Sequence, residues 1–300
     1  MHVYTLGETV FDIIFSDEKP VAASPGGAML NTAVSLGRSG IPVSFISDFG
    51  EDRPGRIISE FLEKNGVSTR HVHRYSDGKT ALALAFLDEK RDADYSFYKI
   101  FPATRLNQEF PETGAGDIVL FGSFYAITAG IRGTITKFIR QARQSGALII
   151  YDPNFRRPHL GELDRVLPWI RENISMADIV RGSDEDFSLI AGATDSGSAY
   201  KFVQESGCSK LICTRNRKDV EIMTGIDNFS VGVPSIDPVS TIGAGDAFNA
   251  GIIWWLVQNS VTREVLRSLG EESWLEMART GIEFSSEVCM HFDNYISARI

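Results

Sequence analysis

The chain reads as an α/β protein: a three-layer α/β/α sandwich on a mostly parallel central sheet, with a small β-sheet lid beside it. Three observations predict this. Short apolar or β-branched runs alternate with helix-period segments along most of the 300 residues, the pattern of strands joined by crossover helices. Two segments break that alternation with strand character of their own. A turn of very small residues, Gly243-Ala244-Gly245, opens an apolar helical run late in the chain.

The strands are predicted at Val3–Leu6, Val43–Asp48, Ile118–Phe121, Leu148–Asp152, Ile179–Arg181 and Leu211–Thr214. Helices are predicted between and after them, at Met29–Ser39, Arg53–Asn65, Gly130–Ser145, Leu163–Met176, Asp184–Ala191, Ser196–Glu205 and Ala247–Asn259. In such folds ligands collect beyond the carboxyl ends of the strands. Residues 13–24 follow the first strand without a helix. Residues 79–98 alternate as Ala81-Leu82-Ala83-Leu84-Ala85-Phe86-Leu87, pass a charged 88–92 turn and resume, a hairpin signature. The two excursions are expected to pair as a lid that excludes water from a reaction site; an antiparallel edge on the main sheet is the alternative. Pro102 to Gly116 reads as a surface connection.

Composition bounds the function. At 43% hydrophobic and 23% charged residues the chain is globular, and residues 1–300 are expected to form a single domain. A net charge of −9 argues against binding to nucleic acid or an anionic membrane, though not against a small anionic substrate. No stretch has the length of a membrane span and the N-terminus lacks a signal-peptide pattern, so a cytoplasmic protein is expected. The three cysteines, Cys208, Cys213 and Cys289, form no Cys-x-x-Cys pair and read as reduced core thiols. The histidines show no zinc spacing.

Residues 240–251 carry the most chemistry. Gly243, Ala244 and Gly245 let backbone N–H groups approach an anion at a helix N-terminus. Asp246 does not fit simple anion binding, because a carboxylate repels a resting phosphate. It fits a general base taking a proton from an attacking hydroxyl; a helix N-terminus with an acidic first turn is the plainer reading. Far upstream, Gly26-Gly27 precedes a helix with Asn31 on its first turns. Two glycines let a polyhydroxylated ligand lie against the backbone, and Asn31 offers a donor and an acceptor. Asp12, just past the first strand, can accept from two hydroxyls. Each alone also reads as structure: a tight turn, a local cap. P-loop, protein-kinase, zincin and dinucleotide fingerprints are absent from the sequence.

Taken together, Gly7-Glu8 with Asp12, Gly26-Gly27 with Asn31, Gly122-Ser123, the Tyr151–Arg156 segment, and Gly243-Ala244-Gly245-Asp246 with Gly251 resemble the ribokinase-like (PfkB) family of sugar kinases, most of all its fructokinases. The resemblance covers essentially the whole chain. It implies Asp246 as catalytic base, with Gly243, Ala244, Gly245 and the Asp246 N–H as the anion hole for the γ-phosphoryl group. It implies Asp12, Gly26, Gly27 and Asn31 as sugar ligands, and Asn154 and Arg156 facing the phosphates or the acceptor; a surface ion pair is the other reading of Arg156. The substrates implied are ATP with Mg²⁺ and a small sugar.

Three segments depart from the family pattern. In place of Asn-x-x-Glu stands Ser183-Asp184-Glu185-Asp186, with Asp186 the expected metal contact through water. The nucleotide segment Thr214-Arg215-Asn216-Arg217-Lys218-Asp219 has lost both glycines, although Asn216 tolerates positive φ. Ser183, Thr214, Arg215 and Asn216, with Gly243 and Gly245, are the expected nucleotide contacts. Ser240-Thr241-Ile242 lacks the family's acidic residue before Gly243, so no K⁺ dependence is predicted. Phe248, Trp254 and Trp255 are expected in the core or as an adenine wall. The resulting expectation is an ATP-dependent kinase acting on a primary hydroxyl of fructose. The alternatives are a ketodeoxygluconate or nucleoside kinase of the same family, or a non-catalytic sugar sensor. A homodimer through the lid is also expected.

Overall fold

The structure, a computed structural model, describes residues 1–16, 18–87, 93–216 and 218–298. The charged turn expected at 88–92 and Arg217 lie outside the described residues. The chain enters on β1 (Val3–Leu6) and makes a hairpin, β2 (Val10–Ser16) and β3 (Lys19–Gly26), which leads into α1 (Ala28–Arg38). Next come β4 (Val43–Gly50), α2 (Arg53–Lys64), β5 (Val67–Ser68), β6 (Val72–Tyr75), β7 (Lys79–Leu87) and β8 (Ala93–Ile100). The central stretch holds β9 (Ile118–Gly122), α3 (Ala129–Gln144), β10 (Leu148–Asp152), α4 (Leu163–Met176), β11 (Ile179–Ser183), α5 (Asp184–Ala191), α6 (Ser196–Glu205) and β12 (Leu211–Thr214). The chain closes with β13 (Val220–Met223), β14 (Asn228–Val231), α7 (Ala244–Gln258) and α8 (Glu271–Cys289).

The main sheet runs β14-β13-β12-β11-β10-β9-β1-β4-β5, with β6 also on β4. The β12–β13 and β13–β14 pairs at one edge are antiparallel, and the others are parallel. Its inner strands are buried on both faces, which is why they read as unbroken apolar runs. Side chains alternate between the faces. Ile118, Leu120 and Ile150 pack with Leu30, Ile58, Leu256 and Met277 of α1, α2, α7 and α8. Val119, Phe121 and Ile149 pack with Ile135, Ile170, Phe187 and Phe202 of α3 to α6. This is the three-layer sandwich that the sequence predicts.

The two excursions form a separate four-stranded sheet, β3-β2-β7-β8, and not an edge of the main one. They are longer than expected, at Val10–Gly26 and Lys79–Ile100, so Asp12 lies inside β2 instead of in a loop after β1. Helix α7 starts at Ala244, three residues before the expected Ala247. Helix α8, the short strands β5 and β6 and the β13–β14 edge are additions to the elements expected from sequence. Trp274, Met277, Ala278, Gly281, Ile282, Phe284 and Val288 form the buried stripe of α8. Cys208, Cys213 and Cys289 are free and buried. No helix among the described residues is long and apolar enough to cross a membrane.

The stretch after β8 does more than connect. The Arg105 guanidinium donates from Nε to Asp48 Oδ2 at 2.7 Å and from Nη2 to Asp48 Oδ1 at 2.8 Å, and the Tyr125 hydroxyl donates to Oδ1 at 2.6 Å. Asp48 is buried at the end of β4, so this bidentate pair fastens the exit of the small sheet to the main one. Removing one partner of a buried pair leaves an uncompensated charge. Arg105→Ala is therefore expected to lower unfolding free energy by ~3–5 kcal/mol, read as a drop in urea midpoint with the slope unchanged.

Candidate active site

The site is assembled where two glycine turns meet. Gly27, with φ 137°, caps α1, and Gly243, with φ 82°, caps α7. At Gly243 a Cβ would meet Asn294 O at 2.6 Å, so the turn is pressed against the chain beyond α8 and only glycine fits. Within α7, Ala247 N donates to Gly243 O, closing the first helical turn. The N–H groups of Gly245 and Asp246 lie inside that turn, where no carbonyl of the helix can reach them.

Helix α1 crosses the start of α7 and holds it twice. Asn31 Nδ2 donates to Asp246 Oδ2 at 2.9 Å, and Thr32 Oγ1 donates to Asp246 O at 2.9 Å. The turn containing Gly26-Gly27 and the carboxylate of Asp246 are thereby brought together across 215 residues of chain. Asn31 Oδ1 is buried without a hydrogen-bond partner. Burial, the largest effect, pushes the Asp246 pKa up to about 7; the Asn31 hydrogen bond and the Arg156 and Arg181 charges pull it down, while Asp152 raises it. A carboxylate poised near neutrality beside orphan N–H groups can accept a proton while they hold an anion.

Asp12 faces the opening of α1 from β2. Its Oδ2 would be 1.9 Å from any Cβ at position 26, so Gly26 makes room for this carboxylate. Burial pushes its pKa up to about 6.

On the other side of Asp246 lies a cleft of ≈ 400 Å³ at the carboxyl ends of β10, β11 and β12. Asn154, Arg156, Ser183, Asp186, Thr214, Asn216, Ala244, Gly245 and Asp246 all line it. Asp12, Gly26, Gly27 and Asn31 do not, so the expected residues divide into two groups, joined where Asn31 meets Asp246. Asn154, with φ 38°, donates from Nδ2 to Ser123 Oγ at 3.1 Å. Arg156 is exposed at the mouth and has no ion-pair partner among the described residues; the ion pair expected there belongs instead to its neighbour, Arg157 with Glu185. Asn216 adopts φ 53°, the left-handed turn expected of it.

Two expected contacts are placed differently. Arg215 pairs with Glu221 and is not part of the cleft wall. Asp186 uses both oxygens on the chain itself: Oδ2 accepts from Ser183 N and Oγ in a capping box, and Oδ1 accepts from Phe155 N at 2.6 Å. A carboxylate so engaged is spent on joining α5 to the loop after β10. Asp184 and Glu185 are the acids left facing the cleft. No group of three or more His, Cys, Asp or Glu among the described residues could enclose a metal ion.

Sequence reasoning missed Arg181, buried on β11, and the apolar residues Val220, Val233, Ile236 and Ile282 that line the cleft with Phe248. Of the three aromatics at 248–255, Phe248 lines the cleft while Trp254 packs on Phe284 in the core.

The fold joins a glycine-capped helix N-terminus, a half-buried carboxylate with a raised pKa and a small separate sheet. Residues 2–295 match the pfkB family of carbohydrate kinases, and the chain belongs to that family. Among curated proteins it is 27% identical over 274 residues to probable fructokinase-4 of Arabidopsis thaliana, covering 86% of this chain and 83% of that protein. It is 25% identical over 258 residues to aminoimidazole riboside kinase of Salmonella typhimurium, covering 85% and 80%. Its fold is similar to that of a Xylella fastidiosa fructokinase solved with bound ATP, at TM-score 0.86 and 23% identity, covering 99% and 95% of the two chains.

The raised pKa of Asp12 has a consequence for stability. A carboxyl whose pKa rises on folding contributes stability that is complete below its unfolded value near 3.8 and is lost as pH climbs through about 6. Asp12→Asn is expected to make the protein more stable than wild type at pH 8 by about 1–3 kcal/mol, with the gain gone near pH 3, as urea unfolding at the two pH values will read.

Proposed function

We propose that this protein is an ATP-dependent kinase that transfers the γ-phosphoryl group to a primary hydroxyl of a neutral sugar, with fructose as the acceptor. The observation that carries the reading is the meeting of Asp246, on the first turn of α7, with Asn31 from the diglycine helix at 2.9 Å. It supports the reading because it joins the carboxylate proposed as the base to the diglycine helix proposed to hold the sugar.

In the proposed reaction the acceptor hydroxyl gives its proton to Asp246 as its oxygen bonds to the γ-phosphorus. The bond from that phosphorus to the β–γ bridging oxygen breaks, and its electron pair leaves with ADP. The N–H groups of Gly245 and Asp246 hold the oxygens of the transferring group. Asp12 accepts from sugar hydroxyls, and Arg156 at the mouth reaches the phosphates. The apolar wall with Phe248 suits adenine. Asp184, with Glu185 beside it in its ion pair with Arg157, would hold the water shell of a Mg²⁺ ion on the nucleotide phosphates, which would supply charge neutralisation.

Two observations bear on the acceptor. The curated relatives include fructokinases from a plant and a bacterium. Two cations on the lid side, Lys99 and Arg105, are already paired with Glu8 and Asp48, which favours a neutral acceptor over a sugar acid. The relative that is an aminoimidazole riboside kinase favours a riboside acceptor as the second reading. ADP release measured over fructose, ribose, aminoimidazole riboside, ketodeoxygluconate and adenosine separates these. Turnover with fructose is expected. Tight sugar binding without ADP from any acceptor would make the protein a sensor.

The base role sets the pH profile. Asp246 must be unprotonated to accept, so kcat/KM is expected to rise tenfold per pH unit below about 7 and to level off above it. Asp246→Asn should cut kcat by ~10²–10⁴-fold and remove that limb, while calorimetry still finds sugar binding. The small sheet ends in an edge strand, β8, with Tyr98 and Ile100 exposed. Edge-to-edge pairing of two copies is proposed here, and light scattering should return twice the 33.1 kDa chain mass.

A further inference from the structure

Arg181 is a buried charge that the proposed reaction leaves without a task. Its side chain is 8% exposed, and a guanidinium does not shed its proton in a protein. Nη1 donates to Asp152 Oδ2 at 2.9 Å and Nη2 to Thr214 Oγ1 at 2.9 Å. Each terminal nitrogen carries a second N–H, and Nε is buried without a partner. The guanidinium stands 5.3 Å from the Phe248 ring centroid, which limits its freedom to turn away.

Its position is the informative part. A Cβ at residue 245 would stand 3.0 Å from Nη1 and 3.2 Å from Nη2, so the guanidinium occupies the space beside Gly245 that a side chain would fill. Gly245 belongs to the first turn of the fifteen-residue α7, the positive end of its dipole. A permanent cation is repelled there, whereas it would be favoured at the other end of the helix. Asp152 offsets it only in part, because Asp152 also accepts from Asn249 Nδ2 at 2.6 Å and from Asn154 N at 2.9 Å. Two sources of positive potential converge on one point, and an anion placed there relieves both.

We propose that Arg181 is a catalytic residue, the side-chain half of the anion hole, and that its Nη groups contact the equatorial oxygens of the transferring phosphoryl group together with the Gly245 and Asp246 N–H groups. This rests on the kinase reading and deepens it. The carboxylate of Asp246 alone would repel the phosphoryl group, and Arg181 beside Gly245 counters that repulsion. The competing account is structural: Arg181 merely ties β10, β11 and β12 together through Asp152 and Thr214.

The test removes both members of the buried pair, so that no lone charge is left behind. Arg181→Met with Asp152→Asn should keep the melting transition and the sugar KM, and lose ~10²–10³-fold in kcat. Arg181→Lys, which keeps the charge but not the fork, should lose roughly tenfold or more. With sugar present, the affinity of the double variant for ADP plus aluminium fluoride, which mimics the planar phosphoryl group, should fall far more than its affinity for ADP. A structural tie would move the two affinities together. The assignment is overturned if either variant turns over within about threefold of wild type, or if the two affinities fall by the same factor. A wild-type protein that releases no ADP with any acceptor overturns the kinase reading and this assignment with it; an active wild type with normal variants overturns Arg181 alone.

Discussion

The site depends on helix α1 lying across the first turn of α7. The two hydrogen bonds at the crossing, from Asn31 and Thr32 to Asp246, are too weak to create it. Each is worth about 1 kcal/mol, or up to ~3 kcal/mol for one made to an ionised carboxylate. Burial contributes more. Ala247, Phe248, Ala250, Ile252, Ile253, Trp255 and Leu256 of α7 are buried together with Met29, Leu30, Ala33 and Val34 of α1, and each large side chain contributes about 1.5–3 kcal/mol. At Gly251 the α7 backbone comes so near α8 that a Cβ would meet Thr280 O at 2.6 Å. Packing therefore sets where α7 begins, and the hydrogen bonds orient one carboxylate within that frame. The division matters because transfer between bound groups is sensitive to ångström displacements.

A second constraint is electrostatic. Asp152 and Arg181 sit at the carboxyl ends of adjacent strands and are almost fully buried, in surroundings where unpaired charge is costly. The structure meets that cost with a network: Asn249 of α7, Asn154 and Arg181 all donate to Asp152, and Thr214 receives the second arm of Arg181. Strands β10, β11 and β12 and helix α7 are thus joined at the level of the cleft floor. Asp186 does the same one layer out, joining α5 to Phe155. With their oxygens taken up by donors of the chain itself, these acids can stand at a compartment proposed to hold phosphates.

The legible parts of this molecule are those in which one segment carries its own signal. Apolar runs mark the six predicted strands to within two residues, because a strand buried on both faces has no polar positions to blur it, while the short β5 and β6 carry no such run. The Gly243 and Gly26-Gly27 turns are legible because their backbones exclude side chains. What escapes depends on neighbours. Arg181 reads as an ordinary charge until Asp152 and Thr214 from the flanking strands enclose it. Asp186 reads as a metal contact until Phe155 claims one of its oxygens. Asp12 reads as a loop acid, since β2 carries few of the alternating polar positions that identify a strand; its side chains are all half-buried between sheet and body. Helix α8 has a readable apolar stripe, and only its distance from the motifs keeps it out of view.

Asp12 stands on the small sheet and Asp246 on the body, and this separation shapes how the proposed reaction would be controlled. A sugar that bridges the two carboxylates ties its own binding to the position of the lid, for a ligand favours whichever arrangement lets it make more contacts. The lid is fastened at its ends, by Asp52 to Thr80 on one side and by Glu8 to Lys99 and Asp48 to Arg105 on the other, whereas β3 lies largely exposed. The exposed β3 runs straight into Gly26 and Gly27, so in the proposed reaction a sugar at Asp12 would draw this edge of the sheet toward the site and shield ATP from water. The raised pKa values of the two acids agree with this arrangement: partial burial disfavours the charge of each, and in the proposed reaction each would gain a hydroxyl partner from the acceptor.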